Sequence, residues 1–151
     1  MATPQRLETV RRLQLAMATS YSAMGAWCLV HPSSVMALGF TPAYAALCNA
    51  TTALLMRCFG AQAMTCGLVL GTSTMTPLSF TAFGLAMIPY VGWNFWFSAF
   101  GPAAGVISSL MWMDFAGNLF FGLGSLYCAR LLKERQEEDD ARLQGAKEKG
   151  L

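Results

Sequence analysis

Arg57 and Asp114 are the only formal charges in the 117 residues from Leu13 to Ala129. An acid and a base isolated in an apolar stretch can do two kinds of work. In the plainer reading they form an ion pair that fixes the register of two helices. In the functional reading they line a polar pocket, with Asp114 as catalytic acid or base and Arg57 tuning its ionisation. Polar residues at helical spacing extend the pocket. Asn118 follows Asp114 by four residues and Asn94 follows Tyr90 by four, so each pair shares a helix face. Tyr21 lies among Thr19, Ser20 and Ser22. Asn94, Asn118, Tyr90 and Tyr21 would then bind substrate by orienting the polar group of an otherwise apolar molecule. In the plainer reading each is an interhelical hydrogen-bond partner. Gln62, five residues from Arg57, points to another face.

These side chains must be held by elements that tolerate lipid. The chain is 55% apolar and 12% charged, against about 25% charged in an average soluble domain. A soluble domain has to wet a large surface, which a stretch of this length with only two charges cannot do. The same stretch excludes a disordered chain, a collagen-like fibre and a nucleic-acid-binding module. A helix crosses the hydrocarbon layer with about 20 mostly apolar residues. Four windows qualify: residues 13–30, 50–71, 80–100 and about 106–129. The expected fold is all-α: a polytopic membrane protein with a four-transmembrane-helix bundle over residues 13–129. Short tails, 1–12 and 130–151, flank it. Alternation at period two is absent, which argues against a β-barrel.

Turn residues mark the breaks. His31-Pro32-Ser33-Ser34 closes the first window, residues 72–77 separate the second from the third, and Gly101-Pro102 separates the third from the fourth. Pro89 falls inside the third window, where it predicts a kink. Thr41 can cap a helix that begins at Pro42 and lengthens the second element.

Arg6, Arg11 and Arg12 precede the first window. Arg130, Lys133, Arg135, Arg142, Lys147 and Lys149 follow the last, and the three connecting loops carry no Lys or Arg. The positive-inside rule therefore places both termini in the cytoplasm, and an even number of spans agrees. The Arg11-Arg12 flank resembles a signal peptide, but the long apolar run reads as an uncleaved helix. Trp27, Trp93 and Trp96 fall near the non-cytoplasmic ends of their spans and Tyr127 near the cytoplasmic end of the fourth, where amphipathic rings favour the interface. In the tail, Lys133 with Glu137, Arg135 with Asp139 and Glu138 with Arg142 are four apart. They support a solvated helix extending from the last span, the alternative being a frayed end. The final Lys147-Glu148-Lys149-Gly150-Leu151 resembles a dilysine retrieval signal of endoplasmic-reticulum membrane proteins, which is read on a cytosolic C-terminus.

Small residues mark a packing seam. Ala63, Gly67 and Gly71 are spaced by four after Gly60-Ala61, and Ala18, Ser22 and Ala26 repeat the spacing in the first helix. The monomer core is the expected use of both faces. None of the five cysteines forms a CxxC or Cys/His pattern, and one histidine, His31, builds no metal or haem site. No cofactor or metal is expected. Cys28 and Cys48 fall on the same side and can form a disulfide. Asn49-Ala50-Thr51 matches a glycosylation acceptor but abuts the membrane. The glycines from Gly117 to Gly124 lack the strand-turn-helix context of a dinucleotide site.

The second span, with Arg57, Gly60-Ala61 and Cys66-Gly67, resembles the Arg-x-x-Gly-Ala…Gly pattern of small DoxX-like four-helix membrane proteins. The preceding Pro32…Leu38-Gly39-Phe40 loop is similar to theirs. The resemblance implies a compact four-helix bundle. Members include subunits of redox complexes and assembly factors, so it implies no single activity. Three functions are then open. The first is an endoplasmic-reticulum accessory or assembly protein that packs against other membrane proteins. The second is a membrane-embedded isomerase, cyclase or oxygenase acting on a lipophilic small molecule. The third is a carrier, for which four short helices leave little room. The expected partners are the lipid bilayer and these membrane proteins or molecules, with no nucleic acid.

Overall fold

A computed structural model describes residues 3–100 and 105–148. The described residues are all-helical apart from one isolated bridge. α1 spans Thr3–Val30, α2 Pro32–Gly39, α3 Pro42–Ala45, α4 Ala50–Thr72, α5 Pro77–Ala86, α6 Ile88–Ala99 and α7 Trp112–Glu148. A 3-10 turn over Ser109–Met111 leads into α7.

Each boundary has a local cause. Asn49 starts α4 with a reciprocal capping box: its side chain accepts from the Thr51 and Thr52 amides, and its own amide donates to the Thr52 hydroxyl. The longer second helix starting at Pro42 does not form. α3 is a single turn, and the Thr41 hydroxyl donates to the Gly105 carbonyl instead of capping it. Thr76 caps α5 through the Ser79 amide, with Pro77 in the first position. The helix breaks between Ala86 and Ile88, just before Pro89, which has no amide hydrogen to give the preceding turn. It resumes as α6, so the third window is two short helices rather than one long one. The fourth helix starts at Trp112, six residues later than 106, because Gly105 and Val106 form a turn and Ile107 bridges to Phe40. Thr41 and Ser108 pair there with Val106 and Gly39, and Gly105 adopts φ +92°. Gly101-Pro102 lies outside the described residues.

The long helices form a row, α4 against α1, α1 against α7, and α7 against α5 and α6. α1 and α4 run antiparallel at very close range. A Cβ added to Gly60 would lie 2.6 Å from the Gly25 carbonyl, and one added to Gly67 would lie 2.6 Å from the Ser22 amide. The two faces of small residues thus meet each other, which permits backbone contact. The closest core lies at the end carrying both termini: Val10, Met17, Ala18, Leu70, Phe80, Cys128, Ala129 and Leu131. There Gln14, buried, donates to the carbonyls of Leu70 at 2.6 Å and Ser73 at 2.9 Å, satisfying the last turn of α4.

α7 continues without interruption to Glu148, so the tail is helical and not frayed. Lys133 pairs with Glu137 and Arg135 with Asp139, as their spacing predicts. Glu138 reaches across to Arg6 at 2.7 Å, a contact between the two ends of the chain that spacing within α7 does not reveal. Lys149, Gly150 and Leu151 lie outside the described residues.

Two helical segments, Ala50–Thr72 and Ser109–Lys147, are long and apolar enough to cross a membrane, by length and composition. Both leave most of their surface uncovered by protein. α5 and α6 are each too short alone, and α1 carries Gln14, Thr19, Ser20, Tyr21 and Ser22 among its apolar residues.

Candidate functional site

The structure brings together three of the expected residues and leaves out the one expected to pair with them. Asp114 sits in the first turn of α7, where the helix dipole favours an anion. Asn94 on α6 donates its side-chain amide to Asp114 Oδ2 at 2.5 Å. Asn118, one turn on, donates to the same oxygen at 3.2 Å and to the Asp114 carbonyl at 2.9 Å. Asp114 is exposed, Asn94 half-buried and Asn118 only 8% exposed.

Arg57 stands apart. Among the described residues it makes no ion pair or hydrogen bond, and its side chain is exposed. The expected Arg57–Asp114 bridge does not form, for two physical reasons. α4 packs on α1 through Gly60, Ala63 and Gly67, and α1 separates it from α7. The late start of α7 also puts Asp114 about 3 Å inside its helix, against about 10 Å for Arg57 in α4, at 1.5 Å per residue. Equal counting from the window edges does not survive as equal depth.

Tyr21 and Tyr90 are close to the cluster without joining it. Among the described residues the hydrogen-bond partner of the Tyr21 hydroxyl is the Met87 thioether at 3.7 Å. Its ring packs on Phe121, centroids 4.5 Å apart, and edge-on to Phe83 at 6.1 Å. Tyr90 is exposed. Gln62 is exposed as well, consistent with its exclusion from the site.

α1 and α6 both pack on α7 but not on each other. Tyr21, Phe83 and Phe121 form a ring cluster between α1, α5 and α7. At the other end α6 buries none of its residues, and the Asn94–Asp114–Asn118 cluster lies there. On the far side of the α6–α7 contact, Phe95, Trp112 and Phe115 pack ring against ring at 5.6–6.1 Å and hold the two helices together.

The five cysteines are free, so the Cys28–Cys48 disulfide is not formed; Cys28 is buried against Gly60. His31 is exposed at the start of α2. No group of three or more metal-ligating side chains occurs among the described residues.

The residue that sequence reading missed is Gln14. A long amide at the second position of an apolar window is a signal for a buried polar partner, here the carbonyls that end α4. Asn94 was visible, but not that its partner is Asp114, because that contact joins two helices. No family model matches the chain, and no curated protein or solved structure matches it either.

Proposed function

We propose that this chain is a four-pass membrane protein with both termini in the cytoplasm, serving as an accessory or assembly protein in the endoplasmic-reticulum membrane. The observation that carries the membrane reading is the outer surface of α4. Leu54, Leu55, Phe59, Leu68 and Val69 are all more than half exposed on a 23-residue helix. Water does not tolerate so continuous an apolar surface, and lipid does. The kinked α5–α6 pair and α1 supply the other two passes. The Arg6–Glu138 pair holds both termini at one end, as an even number of passes requires. The DoxX-like resemblance fits the same arrangement, since Gly60 and Gly67 of its pattern are the close-contact residues of the α1–α4 seam.

A second reading is favoured by one observation. The Asn94–Asp114–Asn118 cluster spans two helices, and its carboxylate is exposed. That suits a site for a lipophilic small molecule, bound or transformed. Asp114 is then the residue that meets its polar group, and Arg57 has no part in it.

The membrane reading is tested by alkaline carbonate extraction and by tags at each end in sealed microsomes. Retention in the pellet with both tags digested from outside is expected. Release into the supernatant, or tags on opposite faces, overturns it.

A further inference from the structure

We propose that the Asn94–Asp114–Asn118 cluster binds a protonated amine carried on an apolar molecule, with Asp114 as its counter-charge. This rests on the membrane reading above and names the ligand class of the second reading. The hydrogen-bond inventory points to the charge of the ligand. The amide nitrogens of Asn94 and Asn118 both donate to Asp114 Oδ2. Oδ1 of Asp114 and the side-chain oxygens of Asn94 and Asn118 have no partner among the described residues. What the cluster offers is therefore acceptors, around one carboxylate, with no cation in contact. A carboxylate or phosphate head brings only more acceptors and is repelled. An ammonium brings a positive charge and up to three donors.

The surroundings of the cluster point to an amphiphile. Asp114 lies in the first turn of α7, at the open end, where a charged head keeps access to the interface. Phe121 follows Asp114 by seven residues, two turns along the same face of α7, and packs with Tyr21, whose ring also meets Phe83. An alkyl or ring body lies along that apolar face, and a wholly polar amine would leave it uncovered.

The experiment uses the full chain in phosphatidylcholine nanodiscs with dodecylamine, dodecanol and dodecanoate as probes. Binding is read by calorimetry against empty nanodiscs at neutral pH. We expect saturable dodecylamine binding at least about tenfold tighter than dodecanol, as a charge-assisted contact in a low-dielectric site requires. Asp114→Asn should remove that preference and leave dodecanol unchanged, while Asp114→Glu should keep part of it. Equal binding of amine and alcohol by the unaltered protein, or preference for dodecanoate, overturns the proposal, and neither comparison depends on a variant that folds. An Asp114→Asn protein that folds and still prefers the amine overturns it too. Loss of the chain from the membrane pellet defeats the membrane reading. A chain that stays in the pellet yet shows no amine preference defeats only this proposal.

Discussion

The two ends of the helix row are built on different principles. At the end that carries both termini, side chains from α1, α4, α5 and α7 close on one another: Phe80 and Met17 are wholly buried, and Gln14 ties off α4. At the opposite end α6 buries nothing, Trp93 and Tyr90 are more than half exposed, and the conspicuous contacts are hydrogen bonds around one carboxylate. The dividing point is the break before Pro89. Below it α5 packs its Gly84 against Leu126 and Gly122; beyond it α6 touches α7 through Asn94 and Phe95. Stability is concentrated at one end, and openness at the other is what makes a site possible.

That contrast can be broken by truncating one ring at each end. Phe80→Ala should cost about 3–5 kcal/mol, because it empties a fully enclosed position. Trp93→Ala should cost about 1 kcal/mol or less, since most of that ring faces outward. Unfolding of both variants in mixed detergent measures the gap, and equal losses would mean that the ends do not differ. A smaller loss is expected from Gly67→Ala, about 1–3 kcal/mol, as the added methyl meets the Ser22 backbone. Gly92→Ala, with open space around it, should be near neutral in the same assay.

Gln14→Leu sharpens the picture of the packed end. It keeps the volume but strands the Leu70 and Ser73 carbonyls, for about 1–2 kcal/mol. Hydrogen exchange should rise in the last turn of α4 and stay unchanged in α6. The smallest effects belong to the charged extension of α1 and α7. Arg6→Ala should cost no more than about 1 kcal/mol. The hydrogen bond from Arg130 holds the Glu134 carboxyl below its ordinary range. Its contribution is therefore present above the unfolded value of about 4.3. It is lost as pH falls through the lower folded value. Glu134→Gln should flatten this acid limb of the unfolding midpoint against pH.

How much of this was legible depends on range. Asn118 beside Asp114, and Lys133 beside Glu137, follow from four-residue spacing within one helix, and both contacts form. The break near Pro89 follows from a missing amide hydrogen. The small-residue faces of α1 and α4 announced a close seam, and they are each other's partners. The Arg57–Asp114 pair failed because it assumed that helices of matching direction share a level and a boundary. The glycines that draw α4 onto α1 leave Arg57 exposed on the row's outer helix.

Helix α2 and the caps of α4 and α5 were not legible in the amino-acid order, which by itself pointed to the long apolar helices, the breaks at residues 72–77 and near Pro89, and a middle with only two charges. These follow from local backbone chemistry and from hydropathy, which each segment carries with it. Tertiary structure alone decided that Asn94 meets Asp114, that Gln14 closes α4, that Arg6 crosses to Glu138 and that Arg57 is excluded. Those outcomes depend on which helix lies beside which, and that choice is made by side chains far apart in the chain.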